Sequence, residues 1–495
     1  MSYLGIDIGS SGVKAVAFRA DGTELASAHA RYQYTVPEPN AMELDGNAVL
    51  EAAFRVLSEV AQATRGSDPV EAISFSSQGE AFSALDADGK ILVPAMISGD
   101  SRAAADMADF TRAFGLERLY RITGHTPSAM FSLAKLLYMK RRAPETFAKA
   151  AKFLCFEDLL SNALGGRPCM GWPEAGRTML FDVTKHEWST EILEAIGLVP
   201  KNFAEALPSG TVTGTLLPQV AARLGMSPDV KLVCGGHDQI VGAYGCGATT
   251  PGTAMYAAGS VECFVPIFDR PVFSDELCRN NLCTYDFAEE GRYASVAYSL
   301  TGSNLLEYFI KTLAPDRQGD YGALIAEMPP EPTSLLALPY FTPSGTPYFD
   351  EVTPGCLYGW RLGTSRGTIL KALEEGIALE MKLNFELLTQ SGLKMSRLVA
   401  TGGGFRSTAM VQLRADVLDL PIQTIEVNEA GCRGAASLAL RALTGQTMPP
   451  PAVTRTVEPD AARASIYRDK FAQYLRFSET LRAYARVPLN NRTGR

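Results

Sequence analysis

The chain has 495 residues, 46% of them hydrophobic and 20% charged, with a net charge of −8. Its length exceeds what one hydrophobic core usually serves and predicts two domains, while the acidic balance argues against nucleic acid or an anionic membrane surface as partner. Nine cysteines, an odd number with no C-x-x-C pair, argue against a disulfide framework or a zinc site and read as reduced thiols of a cytoplasmic protein.

In chain order, Met1 to Leu4 run straight into a strand and leave no room for a signal peptide. Residues 3–18 read as two strands joined by Gly9-Ser10-Ser11-Gly12, and Asp21-Gly22 opens the next hairpin turn. Asp7 interrupts an apolar strand, which costs stability unless the carboxylate is paired, hydrogen-bonded or holding a cation. The Gly/Ser turn supplies N–H groups and hydroxyls suited to a phosphate, but it lacks the Walker A spacing and taken alone reads more readily as an ordinary hairpin. A helix follows from Asn47 to Thr64, then a strand from Val70 to Ser76 that ends in Ser-Gln-Gly-Glu, residues 77–80. Asp86-Ala-Asp-Gly89 is a second hairpin turn, and Ile91 to Ile97 leads into Ser98-Gly-Asp-Ser-Arg102. Three strand ends thus deliver Asp7, Glu80 and Asp100.

Ser128 to Leu164 reads as helix broken by Pro144, and the basic run Lys140-Arg141-Arg142 as its solvated face. Gly171 to Asp182 reads as an exposed loop entering a short strand, and Trp188 to Leu198 as helix. After a strand over Val212 to Leu217 and a helix over Pro218 to Leu224, the apolar run Leu232 to Cys234 stops at Gly-Gly-His-Asp-Gln, residues 235–239. Ligand sites of open α/β sheets lie at such strand ends, so Asp238 is a catalytic candidate; capping the next helix is the alternative. Gly242, Gly245 and Gly247 suggest a helix packed backbone-close to a neighbour. The charge-free span Ile240 to Val261 reads as a loop between short elements rather than a membrane span, given its glycines and Pro251.

Residues 253–265 repeat the strand-turn-strand unit, with Gly259-Ser260 standing where Gly9-Ser10 stood, which places a domain boundary near residue 250. A strand over Tyr293 to Ser299 ends in Leu-Thr-Gly-Ser-Asn304 before a helix over Leu305 to Leu313, and Thr368 to Thr389 reads as a long amphipathic helix. Residues 398–407 are a strand running into a triple glycine, and Val427 to Ala436 opens a small-residue helix that must pack tightly. Beyond Pro451 one more exposed helix is expected.

Taken together, Gly-Ile-Asp-Ile-Gly-Ser-Ser-Gly-Val-Lys-Ala, Gly-Asp-Ser-Arg-Ala, Ala-Gly-Arg-Thr-Met-Leu-Phe-Asp, Gly-Gly-His-Asp-Gln, Pro-Gly-Cys-Leu-Tyr-Gly-Trp, Thr-Gly-Gly-Gly-Phe-Arg-Ser and Glu-Ala-Gly-Cys-Arg-Gly-Ala-Ala occur in order along nearly the whole chain. In these motifs the chain resembles the FGGY carbohydrate kinases. The resemblance implies an α/β fold of two actin-like, ribonuclease H-like ATPase domains facing each other across a catalytic cleft. Residues 1–249 would hold the sugar site and base, 250–450 the nucleotide, and 451–495 would form a helical tail. It implies transfer of phosphate from ATP to a hydroxyl of a ketose or related polyol, with Asp238 as base and Asp7 holding Mg²⁺. Gly9, Ser10, Ser11 and Lys14, with Gly259, Ser260 and Gly302, would grip the phosphates, and Gly403, Gly404 and Ser407 would leave room for the nucleotide. The sugar would lie between Gln78, Gly79, Glu80, Asp100, Asp238 and Gln239. Partners are then a small molecule and no nucleic acid or membrane, with a homodimer left open.

Departures bear on the substrate. Gly79-Glu80 replaces the Arg-Glu of glycerol kinases and the Met-His-Gly of xylulokinases, and Ser98 stands where the family often has tryptophan, leaving more room. Glu262, after the second phosphate motif, is expected to cap a polar substrate or pair on the surface. A chaperone-like ATPase of the same superfold is the competing class; no peptide-binding appendage supports it. A sensor that has lost catalysis is disfavoured by the presence of both Asp7 and Asp238.

Overall fold

A computed structural model of the chain describes residues 1–487. The opening segment Ser2–Ile8 is a buried strand that turns at Gly9–Gly12, closed by the Gly9 N–H on the Gly12 carbonyl at 3.0 Å, into the antiparallel strand Gly12–Phe18. Val70–Ser77 lies parallel to the first strand and Lys231–His237 parallel to that, and Glu24–Arg31 and Val212–Thr215 close the edges antiparallel. The second sheet repeats this plan. Thr253–Ala258 pairs antiparallel with Glu262–Phe268 and parallel with Arg397–Thr401, then come Ile422–Ile425 in parallel and Val453–Val457 antiparallel. The duplication suggested by the two hairpins therefore extends to entire sheets.

The halves meet through two helices, Asp238–Gly245 and Ala430–Thr444. A Cβ on Gly245 would stand 2.1 Å from the Ala430 carbonyl oxygen, and one on Gly434 1.9 Å from that of Val241, so their backbones touch only because both residues are glycine. Gly242 has ordinary space around it, and Gly247 lies beyond the helix with φ +73° and packs against Pro450, so within the helix Gly245 alone of the expected glycines makes the close approach. The helix Ala430–Thr444 also lies on the first sheet, where Gly5 leaves space for the Cys432 carbonyl.

Several expectations are corrected. Gly171 to Asp182 is not an exposed loop: the short helix Trp172–Gly176 and Arg177–Phe181 are almost wholly buried between the halves. Within Ser128 to Leu164, Lys152–Cys155 is a strand, because it completes an antiparallel pair with Phe82–Leu85. The helix Arg366–Gln390 is not amphipathic, since every residue from Ile369 to Asn384 is buried and its acids are paired inside. The segment after Pro451 first adds the edge strand Val453–Val457. Its helix Ala461–Ala485 then buries Tyr467, Phe471 and Tyr474 against the rest of the second half. Residues 488–495 of the expected tail lie outside the described residues.

Candidate active site

Asp238 opens its helix instead of capping it. His237 occupies the cap position without a side-chain cap bond, and Asp238 is the first helical residue. A helix N-terminus favours the ionised form, yet the pKa of Asp238 is pushed up to about 7, first by desolvation among the surrounding protein and then by the charges of Asp7 and Glu80. The side chain keeps 32% of its surface open, so the acid is both perturbed and reachable.

Asp7 lies two strands over, with Val70–Ser77 between. Its Oδ1 accepts from Ser76 Oγ at 2.6 Å, and burial, opposed by that bond and by Lys14, raises its pKa. Lys14, its rung partner, donates to both oxygens of Glu429 at 2.9 and 3.0 Å, which ties the first turn to the start of the Ala430–Thr444 helix. Ser10 and Ser11 are exposed at the turn between them. Asp7 fits a magnesium ion that keeps most of its waters and takes its other ligands from phosphates; among the described residues no group of three or more His, Cys, Asp or Glu could form an all-protein cage.

The expected sugar contacts divide. Gln78 donates from Nε2 to the Gly9 carbonyl at 3.0 Å, bracing the Gly9–Gly12 turn, and its buried Oε1 has no partner. Gly79 is required, since a Cβ there would meet the His237 ring at 2.9 Å. Glu80, at φ +69°, is held by its own carbonyl, which accepts from Ser132 Oγ at 2.9 Å and Lys135 Nζ at 3.1 Å. Its carboxylate is already engaged within the protein: Oε1 takes both Nε and Nη2 of Arg177, and Oε2 takes Ser98 Oγ at 2.7 Å. Ser98, where more room was expected, thus binds the Glu80 carboxylate. Asp100 is also engaged. Its buried side chain receives Arg102, the Met42 N–H at 2.9 Å and the Arg102 N–H at 3.1 Å, so it organises a loop. Gln239 Oε1 accepts from Cys263 Sγ of the second half at 3.0 Å.

In the second half Gly259 and Ser260 form the exposed turn, with the Gly259 carbonyl receiving the Ser303 N–H at 2.9 Å. Gly302 packs against that turn, since a Cβ would lie 2.9 Å from two of its carbonyl oxygens. Gly403 faces open space, whereas a Cβ on Gly404 would stand 2.8 Å from that of Ala258. Beside them a cleft of about 450 Å³ runs between Gly402–Gly403, Arg406 and Glu426–Asn428. Ser407 caps the helix Thr408–Leu418 without a side-chain bond, which leaves its hydroxyl uncommitted to the helix. Glu262 neither caps a substrate nor sits on the surface: with Arg414, Glu374 and Tyr256 it forms a buried cluster.

Three residues near Asp238 escaped the sequence reading. Arg177 lies over the Phe131 ring at 4.9 Å and balances Glu80. His237 touches Asp238, and Tyr285 reaches His237 from the second half. The available signal was the arginine itself, set in the small and apolar run Ala175 to Phe181 where a surface cation is out of place.

Comparison with known proteins places this geometry. The model of the FGGY family of carbohydrate kinases, N-terminal domain, matches residues 2–245 and that of the C-terminal domain residues 254–443. The chain belongs to the FGGY family, and it is a carbohydrate kinase of two actin-like, ribonuclease H-like domains. A xylulose kinase of Bacillus subtilis strain 168 is 26% identical over 442 residues, 89% of this chain and 88% of that protein. Among solved structures, the ligand-bound xylulose kinase of Lactobacillus acidophilus superposes with a TM-score of 0.91 at 22% identity, covering 97% of this chain and 98% of its own. The gluconate kinase of the same organism gives 0.90 at 22%, covering 98% and 99%. Two substrates on equally similar folds leave the choice of sugar to the site.

Proposed function

We propose that this kinase phosphorylates a neutral ketose or polyol, using ATP with Mg²⁺, and that Asp238 is its base. The observation that carries the reading is the placement of Asp238, a reachable carboxylate with its pKa near neutrality at the end of a central strand. Bound Mg²⁺ would offset phosphate charge beside Asp7. Asp238 takes the proton of the attacking hydroxyl as its oxygen bonds to the γ-phosphorus and the bond to ADP breaks. Lys14, Gly9, Ser10 and Ser11 face the phosphates from one side and Gly259, Ser260 and Gly302 from the other. Gly403 and Ser407 border the nucleotide, and Gln78, Gly79, Glu80 and Gln239 border the sugar.

A neutral substrate is favoured because the charge of Arg177 is already spent on Glu80, leaving it poorly placed to receive the carboxylate of an aldonate. All nine cysteines are free, which supports a reducing, cytoplasmic setting, and no helix among the described residues is long and apolar enough to cross a membrane. ADP release measured over a panel of ketoses, polyols and aldonates tests the reading. Saturable turnover with a ketose or polyol is expected; turnover with aldonates alone, or ATP hydrolysis indifferent to sugar, would refute it.

A further inference from the structure

His237 and Tyr285 have no part in the reaction as described, yet His237 stands against its base and Tyr285 against His237. His237 ends the Lys231–His237 strand and is 5% exposed. Its Nδ1 is 2.9 Å from the Tyr285 hydroxyl, and its Nε2 is 3.3 Å from Asp238 Oδ1. Tyr285 is fully buried on the short strand Tyr285–Asp286, which the second half inserts against the first, and it fits because Gly176 carries no side chain: a Cβ there would stand 3.2 Å from Tyr285 Cβ. Arg177 lies 5.8 Å over the same ring.

The protonation states follow from this setting. Burial first, and the Arg177 cation second, push the pKa of His237 well below the ordinary range, so the ring is neutral and has one N–H. Burial pushes the Tyr285 phenol well up, so it keeps its proton. A neutral imidazole that meets an ionised carboxylate must present N–H rather than a lone pair, and the nitrogen left over must then accept.

We propose that His237 and Tyr285 are positioning residues for the base: the Tyr285 hydroxyl donates to Nδ1, which holds the Nε2–H tautomer toward Asp238 Oδ1 and leaves Oδ2 for the attacking hydroxyl. The inference rests on the kinase reading. It makes the orientation of a first-half base depend on a side chain supplied by the second half. The other groups that set the charge around Asp238 are Asp7, Glu80, Glu174 and Arg177, with the Cys263 thiol beyond Gln239.

Tyr285→Phe removes one hydroxyl and keeps the ring. It should lower kcat about 10- to 100-fold, the scale of a misplaced catalytic group, leave KM for MgATP unchanged and move the acid limb of the pH–rate profile upward as the N–H loosens from the carboxylate. His237→Gln, which keeps an N–H where Nε2 lay, should retain more activity than His237→Phe. Long-range ¹H–¹⁵N spectra of the full chain should show the neutral Nε2–H tautomer of His237 in the wild type and a mixture in Tyr285→Phe, with no substrate needed. A wild-type rate and unmoved acid limb in Tyr285→Phe, or an Nδ1–H tautomer in the wild type, would overturn the proposal. A wild type without sugar-dependent turnover would refute the kinase reading, while the spectra would still decide the hydrogen-bond arrangement.

Discussion

At the next-to-last rung of the first hairpin Asp7 faces Lys14, whereas the same rung of the second hairpin pairs Ala257 with Cys263. The contrast continues along both sheets. The first half brings Asp7, Glu80 and Asp238 to its strand ends, while the corresponding ends of the second carry Gly259-Ser260 and Gly402 to Gly404. Charges of the second half instead go inward: Glu262 and Glu374 to Arg414, Glu375 to Lys470 at 2.5 Å, and Glu380 to Tyr474. One strand order therefore serves two purposes. Carboxylates at strand ends suit proton transfer, and bare backbone with hydroxyls suits a polyphosphate.

Changes in the two halves should accordingly fail in different ways. Asp238→Asn keeps the shape of the base but cannot accept a proton, so kcat should fall roughly 10²- to 10⁴-fold with little change in nucleotide affinity; near-normal turnover would remove the base from the first half. Arg414→Leu strands Glu262 and Glu374 in the interior and should cost on the order of 3–5 kcal/mol of stability, read as a drop in the denaturant midpoint. Catalysis by the protein that remains folded should survive. With Asp238 ionising at about 7, and the base working only when ionised, kcat/KM should climb with pH and level off above that value. A midpoint near the ordinary 3.8 would mean that its surroundings do not perturb it. The smallest effect belongs to the cross-half pair of Lys14 and Glu429, whose side chains are 42% and 30% exposed. Glu429→Gln should change stability by about 1 kcal/mol or less, and a larger loss would make this pair a principal tie between the halves.

Acids at strand ends were legible because a carboxylate interrupting or ending an apolar run announces itself locally, as Asp7 and Asp238 do. Their partners were not. Arg177 becomes an interior residue only through Glu80, 97 positions earlier, and Tyr285 meets His237 only because two sheets pack together. Asp100 looked like Glu80 in sequence, and each is claimed by an arginine, Asp100 by Arg102 two residues on and Glu80 by the distant Arg177. The hairpins and the tight helix Ala430–Thr444 could be read from turn glycines and small residues. The all-round burial of Arg366–Gln390 and the edge strand Val453–Val457 could not, because the first depends on distant chain that covers it and the second on pairing with Ile422–Ile425.

The division between halves can be tested by hydrogen exchange with one ligand at a time. A non-hydrolysable ATP analogue with Mg²⁺ should slow exchange chiefly in the second half, around residues 258–261, 302–304 and 402–408. A ketose that supports turnover should slow it around 78–81, 175–178 and 237–239. Nucleotide protection centred on the segment around Glu80 and Arg177, with none at the Gly402–Gly404 turn, would contradict the account.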